Sequence, residues 1–266
     1  MSALSILIPS KDRPKHLLDL LNEIYTQTRL PDEIVICDQS SVSIRDTIEK
    51  KFAHIAEPKI SYYFKPEISG LVEARKYCIE NMSRKSKYCL FFDDDIHISS
   101  TFIEHILQDL TDEYIAVVGN FNSVKPMLGF TLGARLRSLF YLGFFRDNRW
   151  NANADILTVA SGGLVLWQAK HLRQHIYKVP NALFYFEDIV TSRILIQFTG
   201  LKIKRSKKAI ASDLKLNERG NSCYEIACIR ELDLIGETFA EEVSGLHLSI
   251  IKLYFRLTKL KRTLFS

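Results

Sequence analysis

Three consecutive carboxylates follow a short apolar run in the middle of the chain. Asp93, Asp94 and Asp95 come directly after Tyr88-Cys89-Leu90-Phe91-Phe92, which has the length and aromatic content of a buried strand. Carboxylates crowded at such a strand end repel one another and lose hydration, so they need a counter-charge. A hard divalent cation supplies one and keeps open positions for nucleotide phosphates. A solvated acidic turn, or an N-cap before Ser99-Ser100-Thr101, is the alternative.

Strand and helix patterns alternate on both sides of this triplet. We predict strands at residues 5–8, 33–37, 60–64 and 88–92, with helices at 15–26 and 44–52 and from Gly70 onwards. This alternation predicts a mostly parallel sheet with helices on both faces. Ligands of open α/β sheets bind beyond the carboxyl ends of the strands. Pro9-Ser10, Asp38 and the acidic triplet all fall at that edge.

Two other acidic positions also follow apolar runs, and each has a structural explanation beside a functional one. Asp38 can start a turn through an Asx-type hydrogen bond, or it can accept hydrogen bonds from a nucleobase or ribose. Glu187 and Asp188 follow Phe184-Tyr185-Phe186 and open a helical pattern. Carboxylates in the first turn of a helix compensate its dipole by about 0.3–1 kcal/mol, without any catalytic role.

Composition predicts one large domain, or one domain with an appendage, in a chain of 266 residues. The five cysteines form no CxxC pair, which favours reduced thiols in a cytoplasmic protein. We expect no secretory signal and no transmembrane helix, since no apolar run approaches the roughly 20 residues that a span needs. The net charge of +5 fits nucleotide phosphates or an anionic membrane surface. Nucleic acid is not a predicted partner.

The region after the strand predicted at residues 114–119 is less regular. Residues 120–154 read as an insertion that forms an acceptor site or a membrane-facing surface; an amphipathic helical excursion with solvated arginines is the alternative. Ser161-Gly162-Gly163 then interrupts a strand pattern over residues 155–167. Glycines inside a strand permit a bulge or a close approach of the backbone to a ligand.

The C-terminal part of the chain is predicted to be helical. A helix over residues 221–243 precedes Gly245, and residues 246–265 then combine an apolar stripe with a basic one. Such a pattern is typical of an interfacial helix on an anionic bilayer, and a terminal helix packed on the preceding domain or on a partner subunit is the alternative. The apolar stripe is Leu246, Ile250, Leu253, Leu257, Leu260 and Leu264, and the basic stripe is Lys252, Arg256, Lys259 and Arg262.

Six segments, in order, resemble the family 2 glycosyltransferases, which are inverting enzymes with the GT-A fold. The resemblance covers residues 4–203, with departures at Gln39, at Lys76 where the family usually has asparagine, and at Ser212-Asp213 where many members have histidine. The segments are Ile6-Leu7-Ile8-Pro9-Ser10, Glu33-Ile34-Val35-Ile36-Cys37-Asp38-Gln39-Ser40, Gly70-Leu71-Val72-Glu73-Ala74-Arg75, Phe92-Asp93-Asp94-Asp95, Ser161-Gly162-Gly163, and Glu187-Asp188 followed by Arg193 and Gly200-Leu201-Lys202-Ile203.

The resemblance implies transfer of a sugar, with inversion, from a nucleotide-sugar to a hydroxyl of a glycan or lipid-linked saccharide. A UDP-sugar donor and a role in cell-surface polysaccharide biosynthesis are expected. It implies Mg²⁺ or Mn²⁺ on Asp95 and Asp93, and Asp188 as general base with Glu187 beside it. Arg75 contacts the diphosphate or pairs with an acid. The implied nucleotide-sugar ligands are Pro9, Ser10, Arg13, Asp38, Arg75, Asp93 and Asp94.

The resemblance also sets the expected domain boundaries and the competing functions. Residues 1–215 form the catalytic domain, with a nucleotide-sugar half at 1–119 and an acceptor half at 120–215. Residues 216–266 form a C-terminal helical region that places the protein on the inner face of the cell membrane. A degenerate sugar-nucleotide-binding or scaffold protein is one alternative. A metal-dependent nucleotidyltransferase is another, although its usual glycine-rich phosphate loop is missing from residues 9–13.

Overall fold

The computed structural model describes residues 3–121, 154–160, 163–213, 224–241, 245, 248–253 and 256. Within these residues the chain forms nine strands and seven α-helices, with a short 3-10 helix at Ile176–Lys178. The strands are β1 Leu4–Ser10, β2 Glu33–Asp38, β3 Lys59–Phe64, β4 Tyr88–Phe92, β5 Ile96–Ile98, β6 Tyr114–Phe121, β7 Ile156–Leu157, β8 Leu164–Gln168 and β9 Lys202–Asp213. The helices are α1 Pro14–Tyr25, α2 Arg45–Phe52, α3 Leu71–Asn81, α4 Phe102–Asp109, α5 Ala169–His175, α6 Glu187–Thr199 and α7 Tyr224–Thr238.

The strands form one mixed sheet in the order β3-β2-β1-β4-β8-β6-β9-β5, with β7 paired to β9. Strands β3, β2, β1 and β4 are parallel to one another, whereas β8 runs antiparallel to both β4 and β6. This confirms the predicted α/β fold class, but the sheet is mixed rather than mostly parallel: the first third of the chain supplies four parallel strands, β6 and β9 are also parallel, and the remaining pairs are antiparallel. The strand order reverses between β1 and β4, and such a switch point opens a crevice at the carboxyl ends of the strands.

Two hydrophobic cores cover the two faces of the sheet, because successive side chains of a strand point to opposite faces. In β4, Leu90 and Phe92 pack in the core that contains α1, α2 and α4. Cys89 and Phe91 pack in the core that contains residues of α3, α5, α6 and α7. Burial on both faces explains why β1 and β4 are continuous apolar runs rather than alternating ones.

The C-terminal residues share the second core. Leu232 and Ile235 of α7 are buried in it together with Leu248 and Ile251. A Cβ added at Gly236 would lie 2.6 Å from Leu248 Cδ1, so the helical residues 248–253 pack closely on α7. For residues 248–253, the structure therefore shows the alternative considered from the sequence, in which a terminal helix packs on the preceding domain. Leu253, on the predicted apolar stripe, is 54% exposed, and membrane binding by residues 246–265 stays a prediction, as does the boundary near residue 216.

Other sequence predictions concern segments that the structure describes only in part. Within the described residues, no helix is long and apolar enough to cross a bilayer. Cys37, Cys78, Cys89 and Cys228 are buried and form no disulfide among the described residues, and Cys223 lies outside them. Most of the insertion predicted at residues 120–154 lies outside them too, as do Ser161 and Gly162.

Candidate active site

The alternation of β4 continues into the acidic triplet and sends its carboxylates to opposite faces of the sheet. Asp93 continues the face of Phe91, and its carboxylate meets the guanidinium of Arg75 from α3 at 3.5 Å. Asp94 continues the face of Phe92, and it meets Ser10 and Arg13 at the start of α1. The triplet is therefore divided between two charge clusters that lie on either side of one strand end.

The first cluster joins the ends of β1 and β4 at the switch point. Ser10 Oγ donates to Asp94 Oδ2 at 2.7 Å. Arg13 Nη1 donates to Asp94 Oδ1 at 3.1 Å and to Asp95 Oδ2 at 2.8 Å. Burial raises the pKa of Asp94, and the hydrogen bond from Ser10 and the charge of Arg13 counteract that rise. Pro9, the remaining predicted residue of this loop, is buried in β1 beside Cys37 of β2.

The second cluster is centred on the buried guanidinium of Arg75. Arg75 Nη1 forms an ion pair with Glu187 and lies 3.7 Å from Asp188 Oδ1, while Arg75 Nη2 lies 3.5 Å from Asp93 Oδ1. Of the two roles considered for Arg75, the structure therefore contains the pairing with acids. This one side chain links a carboxylate at the end of β4 to the two carboxylates that open α6.

One positive charge is shared by three carboxylates, and the pKa values reflect that imbalance. Burial opposes the charge of Arg75, but Glu187, Asp93 and Asp188 together raise its pKa. Burial also raises the pKa of Glu187; the charge of Arg75 opposes this rise, and Asp188 adds to it. Glu187 is hydrogen-bonded to Asp188, so the two carboxyl groups form a coupled pair that can share one proton.

Gly163 is required by the position of Asp93. The amide of Asp93 donates to the carbonyl of Gly163 at 3.0 Å. A Cβ on Gly163 would lie 1.9 Å from Asp93 Oδ2 and 2.2 Å from its Cγ. The sequence predicted a close approach at these glycines, and the group approached is this carboxylate. Withdrawal from solvent raises the pKa of Asp93 to about 6, against the lowering effect of Arg75, although 45% of the side chain remains exposed.

Asp38 lies at the predicted edge, but its carboxylate is enclosed. Its side chain is 1% exposed, and Oδ1 accepts from the amide of Ser40 at 2.9 Å, which is the Asx-type turn considered from the sequence. The hydroxyl groups of Ser40 and Tyr62 also donate to the Asp38 carboxylate. The nucleotide role of Asp38 stays a prediction.

A Mg²⁺ or Mn²⁺ ion at the acidic triplet would be bound partly by protein carboxylates and partly by substrate or water, rather than enclosed by protein ligands. No group of three or more acidic, histidine or cysteine side chains converges as a metal cage in the part of the chain described here. Asp93 and Asp95 keep 45% and 20% of their side chains exposed. Magnesium is commonly held by one or two carboxylates plus substrate phosphates and water. The two exposed carboxylates therefore suit a cation that binds together with a diphosphate.

A small cavity lies beside the Arg75 cluster. Its volume is about 10 Å³, which is room for one water molecule, and Val72, Phe91 and Trp167 line it along with Arg75 and the α6 carboxylates. Among the described residues, Arg75 Nε is buried and has no hydrogen-bond acceptor. Buried donors are seldom left unpaired, so this N–H is available to a water or a substrate oxygen.

Two of the departures from the family pattern, Gln39 and Lys76, hold backbone in place. Gln39 Nε2 donates to the carbonyl of Ile68 at 2.8 Å, just before α3. Lys76 Nζ donates to the carbonyl of Val179 and to Asn181 Oδ1, each at 2.6 Å. These bonds tie the Arg75 helix to the loops on either side of it. Neither substitution removes a contact of the Arg75 cluster.

Glu231 of α7 is the residue that the sequence analysis missed. Its buried carboxylate accepts from the amide of Tyr185 at 2.9 Å and from the amide of Phe186 at 3.0 Å. These amides directly precede Glu187 and Asp188, so the C-terminal helix holds the start of α6. The available signal was an acidic residue on the same face as the buried residues Cys228, Leu232 and Ile235.

Comparison with known protein families identifies the family of this chain. The pattern described as Glycosyl transferase family 2 matches residues 5–175, which is more than half of the chain. The chain belongs to glycosyl transferase family 2. A curated relative, "Glycosyltransferase GlyA" from Streptococcus pneumoniae, is 30% identical over 158 residues, covering 59% of this chain. The matched segment spans only 21% of that relative.

Solved structures show the same fold. The mannosyltransferase PcManGT from Pyrobaculum calidifontis, in complex with GDP-Man and Mn²⁺, aligns with a TM-score of 0.66 and 12% identity over 96% of this chain and 70% of its own. S. aureus TarS 1-349 in complex with UDP-GlcNAc aligns with a TM-score of 0.54 and 14% identity over 95% of this chain and 71% of its own. At such identities the likeness concerns the fold, and it confirms the GT-A architecture.

We predict that Gly163→Ala inactivates the enzyme without unfolding it. The added methyl group overlaps the Asp93 carboxylate, which must rotate away, and a misplacement of about 1 Å in a catalytic group costs on the order of a hundredfold in rate. Steady-state kinetics and a thermal melt measure the two effects. Gly245→Ala is the matched control, since a Cβ there meets none of the described residues within 4 Å. Equal activity of the two variants would show that the position of Asp93 is dispensable.

We predict that Glu231→Ala lowers kcat about tenfold, because two buried amides lose their acceptor at roughly 1–3 kcal/mol each. The KM for the donor should change little, since Glu231 makes no contact with the first cluster, formed by Ser10, Arg13, Asp94 and Asp95. Glu231→Gln should recover part of kcat through its amide oxygen. Glu237→Ala, at an exposed position of the same helix, is the control. A similar kcat for Glu231→Ala and Glu237→Ala contradicts the positioning role.

Proposed function

We propose that this member of glycosyl transferase family 2 transfers a sugar, with inversion, from a nucleotide-sugar to an acceptor hydroxyl. The observation that carries the proposal is the Arg75 cluster, which brings Asp93 within ion-pair reach of the same guanidinium as Glu187 and Asp188. Donor-side and acceptor-side carboxylates then face one cleft, as a displacement at the anomeric carbon requires.

The donor half is assigned to the strand ends around the switch point. Ser10, Arg13 and Asp94 frame this crevice, and Arg13 is the cation closest to Asp95. A divalent metal, when bound with the diphosphate, would stabilise the charge of the leaving group. Asp93 and Asp95 would hold that metal. Pro9 and Asp38 would border the base and ribose, and a UDP-sugar is the favoured donor.

The acceptor half is assigned to the start of α6. Inversion needs a base that takes the acceptor proton as the hydroxyl attacks the face opposite the leaving group. Asp188 is the proposed base, since it is the more exposed member of the coupled pair, and Arg75 orients its carboxylate. Glu187 is a positioning residue that keeps a hydrogen bond to Asp188 and an ion pair with Arg75.

The proposed acceptor is a glycan or a lipid-linked saccharide, in the synthesis of a cell-surface polysaccharide. Phe184 and Tyr185 support this choice, because these exposed aromatic rings lie three and two residues before Glu187. Aromatic faces pack against sugar rings and acyl chains alike. In this proposal the protein works in the cytoplasm, at the inner face of the membrane, with residues 246–265 on anionic lipid. Thermal shift with UDP-, GDP- and dTDP-sugars identifies the donor.

Asp188→Asn should lower kcat by about 10²–10⁴, because the amide cannot accept the acceptor proton. The dissociation constant of the donor should stay close to that of the unmodified protein. Single-turnover kinetics and donor titration measure these quantities separately. Asp46→Asn, an exposed substitution on α2, is the control. Normal turnover by Asp188→Asn rules out the assignment of the base, and donor binding without any transfer or hydrolysis by the unmodified protein favours the scaffold alternative.

Removal of divalent metal should abolish transfer, and added Mg²⁺ or Mn²⁺ should restore it. Asp93 and Asp95 do not form a complete metal cage with other described side chains, so a cation there would be held weakly and a chelator should remove it. Asp95→Asn should raise the metal concentration needed for half-maximal activity. Activity assays after dialysis against a chelator measure both effects. Full activity in the chelator would remove the metal role of Asp93 and Asp95 and leave Arg13 as the cation at this site.

A further inference from the structure

A second concave site lies at the opposite end of the sheet from the Arg75 cluster. Its volume is about 550 Å³. It is bordered by the residues before β4, by Gln168 at the end of β8 and by Asp112 before β6. Strand β4 separates it from Asp93 by about 16 Å, given a rise of about 3.3 Å per residue. The basic pocket is defined by Arg84, Lys85, Lys87, Lys170 and Arg173.

The loop that carries three of these cations is fixed from both sides. Glu33 Oε1 accepts from the amide of Ser83 at 2.6 Å and from Ser86 Oγ at 3.3 Å. Arg173 Nη2 donates to the carbonyl of Ser83 at 2.5 Å, and Arg173 Nη1 donates to that of Ser86 at 3.3 Å. Ser86 is itself buried. The backbone is therefore ordered before any ligand binds, which lowers the entropic cost of binding.

The charges of the basic pocket are not balanced by the protein. Within the described residues, Arg84, Lys85, Lys87 and Lys170 have no acidic side chain within ion-pair distance, and Asp112 is the one carboxylate that lines the pocket. Some other cations of this chain are paired, as Lys204 is with Asp109 at 2.7 Å. Like charges collected around a concave surface repel one another and focus a positive potential there. An anionic ligand removes that repulsion.

We propose that the basic pocket binds a soluble ligand with two or more phosphate groups, separately from the nucleotide-sugar. The excess of cations over carboxylates calls for more than one negative charge, and arginine and lysine are the usual phosphate ligands. The concave shape favours a discrete ligand over a flat bilayer. Because the basic pocket lies at the start of β4 and the Arg75 cluster at its end, the ligand contacts no residue of the proposed reaction.

Titration calorimetry with tripolyphosphate tests this proposal, and chelator in the buffer prevents metal-assisted binding at the acidic triplet. The charge reversal Lys85→Glu with Lys170→Glu should weaken binding about tenfold or more, and the milder Lys85→Ala with Lys170→Ala should weaken it less. Affinity should also fall between 50 and 300 mM salt, roughly as the Debye length shortens. Lys50→Glu with Lys51→Glu, exposed on α2, is the control with equal charge change.

Two outcomes overturn the proposal. Equal losses in the Lys85/Lys170 and Lys50/Lys51 variants would mean that tripolyphosphate responds to net charge alone. Binding to phosphatidylglycerol vesicles that depends on Lys85 and Lys170, with no tripolyphosphate binding, would make the pocket a membrane contact. Neither result bears on the transferase assignment, since the Asp188→Asn and chelator experiments do not involve these lysines.

Discussion

The ion cluster around Arg75 is the constraint on which the rest of the site depends. A buried guanidinium with one positive charge faces three carboxylates from two separate parts of the chain. Without it, Glu187 would be a buried acid beside another acid, and removal of one partner from a buried ion pair commonly costs about 3–5 kcal/mol. Arg75 thus sets both the stability of this corner and the spacing between Asp93 and Asp188.

The acidic triplet works through the alternation of the strand that precedes it. Asp93 and Asp94 point to opposite faces of β4, so Arg75 and Arg13 each compensate one side. The close contact with Gly163 then fixes Asp93 from a third direction. Asp93 and Asp95 remain partly exposed at the strand end. The protein's own arginines supply counter-charge to the triplet, which the sequence analysis expected chiefly from a divalent cation.

Helix α7, in the C-terminal part of the chain, contacts the segment that opens α6 and so supports the candidate site. Glu231 binds the amides that precede α6, and residues 248–253 pack behind α7. Helix α7 therefore connects the C-terminal residues to the start of α6, where the proposed base lies.

The sequence by itself predicted strands β1 to β4 and β6, the helices between β1 and β4, and the edge of the sheet at which the candidate site residues lie, but not β5, β9 or α5. Apolar runs, helical periodicity and the acidic residues that follow them are local patterns, so β4, the triplet and the start of α6 could be predicted. Only the tertiary structure decided that Arg75 pairs with acids, that Gly163 makes room for Asp93, and that Glu231 holds α6. These contacts join residues far apart in the chain, and no local pattern encodes the distance between them.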